Sequence, residues 1–305
     1  MLRTSLKGGI EQLRANWRMV WIYYLTSLAF GVLLMLPLWN SLRHFIGKSE
    51  MGVLLAGRLD WDFVFEFFHE NASLFSVLSG MITAIFVLNL LWSLFLSGGA
   101  LAVFVAARGY SPDTFWSSAA KYFGRFLRLA AWSLLPALVL LLVLFLPAVV
   151  KRLIFGSDPL ESVSYWTRWV TVSLSYLALL LWRLVFDYAR LHTVTAEEQN
   201  MRRALREGLR FVWRNLARAL ALALLFFLAG ALVLVIYNPL ADSLSAPNVL
   251  VIFLLFVLQQ GYMFWRKLLS LALYASETRL YREIQQAAQE QPQPANELGW
   301  EGAWA

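Results

Sequence analysis

The sequence predicts an all-α protein, a polytopic bundle of six transmembrane helices. Three observations lead there. Of 305 residues, 60% are hydrophobic and only 15% charged, with mean hydropathy +0.60. A soluble domain carries about 25% charged residues, so this chain lacks the polar surface to face water all round. Six apolar stretches also have the length, about 20 residues, that a helix needs to cross a bilayer. Finally, the segments between them alternate in charge.

The spans are expected at about 19–39, 74–96, 129–150, 166–186, 219–238 and 248–266, within one membrane domain over 1–285. The first follows Arg3, Lys7, Arg14 and Arg18 and runs from Met19 to Trp39. It is longer than the apolar core of a signal peptide and no small-x-small cleavage site closes it, so a retained span is expected. The second run has no charge between Glu70 and Arg108, and as a straight helix would extend on the order of 55 Å. Ser97-Gly98-Gly99 is its expected break or close-packing point, because small residues let helix backbones approach in lipid. Residues 286–305, rich in Gln, Glu and Pro, read as a disordered cytoplasmic tail, with Trp300 and Trp304 as a short docking element.

The N-terminal stretch, 108–128, 183–218 and everything from Arg266 onward hold 20 of the 26 Lys and Arg. With acidic residues counted, the two sides carry +9 and −2. Basic residues are retained on the cytoplasmic side, which predicts a bacterial cytoplasmic membrane protein with both termini inside. The net charge of +7 would suggest nucleic acid in a soluble protein. Here a bilayer explains the charge, no nucleic-acid fold is visible, and nucleic acid is not an expected partner.

The chain also reads as three parallel two-helix repeats, each preceded by a cytoplasmic amphipathic helix. Even spans share Trp92-Ser93-Leu94, Trp182-Arg183-Leu184 and Trp265-Arg266-Lys267-Leu268, each followed by a small residue, Ala100, Ala189 and Ala272. Odd spans are preceded by Arg14/Arg18, Arg125/Arg128 and Arg214/Arg218. Repeats in membrane proteins often place a site at their interface. The plainer alternative, that interfacial Trp and Arg make any six-span chain look repetitive, stays open.

Thr195-Ala196-Glu197-Glu198 reads as a capping box, with Thr195 as N-cap and Glu198 three residues on. The helix it opens carries Arg202, Arg206, Arg210, Arg214 and Arg218, with Met201, Leu205, Leu209, Val212, Trp213 and Leu216 on another face. Ser111-Pro112-Asp113 opens a second such helix, with Lys121, Arg125 and Arg128 beside Phe115, Trp116, Tyr122, Phe123 and Phe126. The N-terminus gives a third, with Ile10, Leu13 and Trp17 opposite Lys7, Arg14 and Arg18. Such helices suit the headgroup layer, with arginines on lipid phosphates, so anionic lipids or a partner membrane protein are expected ligands. Simple anchoring of the spans explains them equally.

An inner polar cluster is expected from Arg183, Asp187 and Arg190 on one face of the fourth helix and Arg266, Lys267 and Glu277 on the sixth, with Gln259 and Gln260 deeper. It is either a cavity for an anionic headgroup or transported anion, or an ion-pair network locking the two helices. The first outer loop holds Asp60, Asp62, Glu66, His69 and Glu70. Their spacing suits a solvated acidic face on an interfacial helix, with Trp61, Val64, Phe65 and Phe68 opposite; Glu66-Phe67-Phe68-His69-Glu70 matches no zincin motif, so no metal is expected.

Cysteine is absent, which excludes disulfides, Cys-ligated zinc, iron–sulfur clusters and a thiol nucleophile. No P-loop, GxGxxG after a strand or GxSxG occurs, only His44, His69 and His192 are present, and no catalytic residue or cofactor is assigned. Leu6-Lys7-Gly8-Gly9, Asn16-Trp17-Arg18, Ser97-Gly98-Gly99, Asp187-Tyr188-Ala189-Arg190 and Arg210-Phe211-Val212-Trp213-Arg214-Asn215 resemble a broad group of six-span bacterial membrane proteins related to the membrane domain of glycerophosphodiester phosphodiesterases. The resemblance covers residues 1–285 and implies a six-helix, lipid-associated module. It transfers no activity, because there is no room for that family's soluble catalytic barrel. The expected function is a non-enzymatic membrane module that binds or organises anionic lipid or a partner; the alternatives are a transporter or channel with a polar site between the fourth and sixth helices, and an enzyme acting on lipid through His192 or the outer carboxylates.

Overall fold

The computed structural model describes residues 2–47, 61–70, 72–107, 109–156, 160–244 and 248–289. Among them every regular element is a helix: α1 Leu2–Ala15, α2 Arg18–Ile46, α3 Trp61–Glu70, α4 Ala72–Ala106, α5 Pro112–Leu144, α6 Leu146–Phe155, α7 Glu161–Thr195, α8 Met201–Arg214, α9 Leu216–Ser243 and α10 Val249–Gln289. Six segments are long and apolar enough to cross a membrane: α2, α4, α5 with α6, α7, α9 and α10. The chain is an all-α, multi-pass membrane protein. Asp60, Arg108 and the tail with Trp300 and Trp304 lie outside the described residues.

The helices outrun the expected spans. The three even ones, α4, α7 and α10, continue well past their tryptophans, and Ser97-Gly98-Gly99 does not break α4. It is a packing point instead.

Their extended ends meet one another in a central triangle, and each also takes one belt helix. The first half of α5 lies on α4, α8 lies on α7, and α1 returns from the far end of the chain to lie on α10. The odd spans slot between: α2 touches α10 and α4, α5 touches α4 and α7, and α9 touches α7 and α10. The order is cyclic, so the junction expected from the repeat is built three times.

Each junction depends on backbones nearly touching at a glycine. A Cβ at Gly9 would lie 2.7 Å from Ser276 Cα, one at Gly99 2.6 Å from Phe115 O, and one at Gly208 2.8 Å from Ala189 N. No side chain fits at such separations.

Two belt helices are separate from their spans and one is not, which corrects the uniform repeat expected above. Asn16 Nδ2 donates to Gln12 O at 2.8 Å where α1 gives way to α2, and Asn215 Nδ2 donates to Phe211 O at 3.1 Å between α8 and α9. Asparagine competes in this way with the helix ladder. The corresponding stretch of α5, around Arg125 and Arg128, has no asparagine and runs straight into its span. The interruption comes later, at Phe145, just before Pro147 at the start of α6.

The capping box also differs. Thr195 ends α7, its hydroxyl donating to Leu191 O at 2.8 Å, and Glu197 takes the left-handed conformation with φ 51°. The N-cap of α8 is Asn200, whose Oδ1 accepts from the backbone of Arg202 and Arg203 at 3.2 and 3.4 Å.

Burial concentrates at the triangle and belt. Phe104, Phe115, Phe126, Tyr188, Leu271 and Leu280 are fully enclosed there. Between 0 and 22% of each span's most apolar window is buried, leaving residues such as Leu36, Phe86, Leu138, Val235 and Phe253 exposed. Apolar surface on that scale is stable only against hydrocarbon. In the outer segment α3 buries Phe63 and Phe67 around the Phe45 ring, with centroids 5.6 and 5.1 Å away, while Trp61 and Phe65 are exposed. The expected apolar face of Trp61, Val64, Phe65 and Phe68 is thus not the packed one.

Candidate functional site

Two sites emerge from this frame: a cavity between the spans at the polar cluster, and the basic face of the belt. The cluster forms on α7, where spacings of four and three put Arg183, Asp187 and Arg190 on one face. Asp187 is buried and accepts from Arg190 Nη2 in a close ion pair, while Arg183 Nε sits 3.5 Å from its other oxygen. Arg190 is enclosed among the rings of Phe186, Tyr274 and Phe126, at 4.7, 5.2 and 6.0 Å. Its Nη2 lies 3.3 Å from the Tyr274 hydroxyl, a polar link across to α10 that His192 and Tyr281 repeat further along the two helices. Arg190 therefore holds the fold together. The predicted ion-pair network between the fourth and sixth helices is corrected: among the described residues no ion pair joins α7 to α10.

The other charges border a half-open cavity of about 840 Å³ between α2, α4, α7, α9 and α10. Arg183, Asp187, Arg266, Lys267 and Glu277 form its polar wall. Phe30, Leu34, Phe226, Phe227 and Leu234 line it elsewhere. Glu277 is 4% exposed, and its Oε1 has no hydrogen-bond partner among the described residues. Gln260 is engaged, accepting from the Tyr24 hydroxyl at 2.8 Å. His192 does not line the cavity; its Nδ1 is 2.9 Å from the Tyr281 hydroxyl.

On the belt, several expected phosphate ligands are occupied. Glu197, missed as a functional residue because the sequence placed it inside a cap, gathers Lys121 Nζ at 2.6 Å, the Tyr122 hydroxyl at 2.6 Å and Arg125 Nη1 at 3.1 Å. Partial burial pushes its carboxyl up, but these three donors prevail and hold it at about 2. Glu198 is pulled below the usual range chiefly by the Asn200 backbone N–H, at 2.9 Å. Arg202 stacks over Trp132 at 4.1 Å, and Arg210 pairs with Glu207 at 3.3 Å. Arg128 donates to Gly124 O at 3.2 Å. Arg206, Arg214 and Arg218 are exposed.

The belt's apolar faces also differ from expectation. Against α7, α8 buries Met201, Ala204, Gly208 and Val212, and leaves Leu209 and Trp213 exposed. Likewise α1 buries Ser5, Gly9, Gln12 and Leu13 while Ile10 and Trp17 face outward. Small residues share the inward face with Met201, Val212 and Leu13, while Ile10, Trp17, Leu209 and Trp213 point away from the protein.

Among the described residues no group of three or more His, Asp or Glu could hold a metal ion. No family model, no curated protein and no solved structure matches the chain. The resemblance to the membrane domain of glycerophosphodiester phosphodiesterases thus rests on the residues quoted for it alone.

Proposed function

We propose that this protein is a non-enzymatic membrane module of the bacterial cytoplasmic membrane, with both termini cytoplasmic, that binds and organises anionic lipid through the outer face of α8. One observation carries the reading. Leu209 and Trp213, 51% and 78% exposed, lie on the same helical face as Arg206, Arg210 and Arg214. Apolar and cationic groups interleaved at spacings of three and four suit the boundary between acyl chains and headgroups. Each arginine near an anionic surface contributes about 1 kcal/mol.

Because the chain contains no cysteine, Leu209→Cys gives a single labelling site. A bimane there, in the full chain in nanodiscs, should be quenched by nitroxide lipids more strongly in phosphatidylglycerol than in phosphatidylcholine. Replacing Arg206, Arg210 and Arg214 with Gln should remove the difference. Equal quenching in both lipids before any replacement would sink the proposal. A transporter or channel is the second reading, favoured by the cavity; proteoliposomes whose anion flux is unchanged by Asp187→Asn would exclude it.

A further inference from the structure

The cavity presents a different chemistry from the α8 face. We propose that it holds one lipid molecule whose headgroup is a phosphodiester bearing hydroxyl groups: the phosphate lies against Arg183, Arg266 and Lys267, a headgroup hydroxyl donates to Glu277, and acyl chains follow the apolar wall.

Three cations reach the cavity with little to neutralise them. The Arg183 side chain is 53% exposed, and the carboxylate within ion-pair distance of it among the described residues, Asp187, is shared with Arg190. Among the described residues no carboxylate lies within ion-pair distance of Arg266 or Lys267. Cations at membrane depth call for an anion, and guanidinium groups match the oxygens of a phosphate.

Glu277 supplies the selectivity. Glu277 lines the cavity and is 4% exposed, and among the described residues its buried Oε1 has no donor. A carboxyl group keeps an acceptor oxygen in either protonation state, and an unpaired buried acceptor is costly. No described side chain donates to the Oε1 oxygen, and a ligand hydroxyl in the cavity gives the carboxyl group a donor. Phosphate oxygens cannot relieve an ionised carboxylate, because they too are acceptors; a hydroxyl on the headgroup can serve the group in either state. The surplus of cations favours a headgroup with net negative charge over a zwitterion.

The remaining wall, with Phe30, Leu34, Phe226, Phe227 and Leu234, suits hydrocarbon. The volume of about 840 Å³ accommodates a headgroup with the upper part of its chains.

The test is native mass spectrometry of the full chain, delipidated in detergent and titrated with three lipids. Phosphatidylglycerol and phosphatidylmethanol carry the same charge but differ in headgroup hydroxyls; phosphatidylcholine is the zwitterionic control. Phosphatidylglycerol should bind about tenfold tighter than phosphatidylmethanol, as expected for loss of a hydrogen bond to a charged or buried partner, and phosphatidylcholine weakest. Arg183→Gln with Lys267→Gln should weaken both anionic lipids alike. Glu277→Met should erase the preference for hydroxyls, while Glu277→Gln, which keeps an acceptor oxygen, should preserve it and shows that the position tolerates change. Equal affinity of the unaltered chain for the two anionic lipids, or a preference that survives Glu277→Met, would overturn the assignment. Glycerophosphoglycerol binding as tightly as the lipid would overturn a bilayer source for the ligand. Replacing Arg206, Arg210 and Arg214 should leave the preference intact, so the two proposals fail separately.

Discussion

Gly8→Ala and Gly9→Ala, adjacent in α1, should move stability in opposite directions. A methyl at Gly8 would lie 3.5 Å from Arg279 Nε, an ordinary contact with a movable side chain. The substitution then gains helix propensity of up to about 1 kcal/mol. A methyl at Gly9 would lie 2.7 Å from Ser276 Cα, about 1 Å inside the carbon–carbon optimum, and backbone cannot rotate aside. Relief requires α1 to lift from α10, which loosens buried Leu13, the Gln12 Nε2 to Phe104 O bond at 2.7 Å and the Ser5 to Glu283 bond at 2.9 Å. Overpacking of this kind costs about 1–3 kcal/mol, which outweighs the propensity gain. At about 2–4 °C per kcal/mol, the thermal midpoint in detergent should rise slightly for Gly8→Ala and fall by several degrees for Gly9→Ala. A cysteine at Leu13 should react with maleimide only when combined with Gly9→Ala. Shifts of the same sign at the two glycines, or a Leu13 site equally protected in both backgrounds, would refute the claim that α1 closes the ring through backbone contact.

Arg190→Met should cost about 3–5 kcal/mol, because it leaves Asp187 buried without its main partner; adding Asp187→Leu should recover much of the loss in a double-mutant cycle of thermal midpoints. The Glu197 carboxyl is held down, so its contribution is present above the ordinary value of 4.5 and is lost as pH falls towards about 2. Glu197→Gln should flatten the stability profile in that window, by no more than about 1 kcal/mol given the exposed side chain. Arg202→Gln should lower the midpoint by the roughly 0.5–1 kcal/mol of a surface cation–π contact with Trp132 and leave lipid quenching at position 209 unchanged, whereas Arg206→Gln should do the reverse.

The fold was legible in the sequence because hydrocarbon imposes a coarse rule on long segments: apolar runs of span length must be helical and membrane-facing. The start of α5 at Ser111-Pro112-Asp113 was legible for a local reason, the fixed φ of proline. The belt packing was not. Amphipathic pattern assigns bulky apolar residues to the buried face, which holds for Leu13, Met201 and Val212; Gly9, Ala204 and Gly208 share that face unannounced, while Trp17 just after α1 and Leu209 and Trp213 on α8 look outward. With lipid as the neighbouring solvent, apolar character alone does not mark the face that meets protein, and small residues share in defining it. The cap at Asn200 was missed because Thr195 offered the stronger local motif and α7 continued through it. The inner cluster was found by its charges. Its division into a structural Arg190 and cavity-facing Arg183, Arg266 and Lys267 needed the long-range placement of Tyr274, which no spacing on α7 reveals.

The scaffold is close to threefold, and the candidate site is where that regularity fails. The residue after each even-span tryptophan is Ser93, Arg183 or Arg266. If the triangle of α4, α7 and α10 needed only close packing, small residues of the kind in Ser97-Gly98-Gly99 would serve all three helices, and the fold tolerates them on α4. Instead α7 and α10 carry cations into the cavity, at a depth where each is costly, while α2 and α4 contribute only neutral polar groups, Ser27 and Asn89. Packing explains Arg190, which is sheathed by aromatic rings, but gives Arg183 only a share of Asp187, Arg266 only the Tyr262 ring at 5.9 Å, and Lys267 and the Glu277 Oε1 no ion-pair or hydrogen-bond partner among the described residues. A ligand that brings an anion to the first three and a donor to the fourth removes all of those costs together, which is why the site is placed on the α7–α10 side and not on the pseudo-symmetry axis.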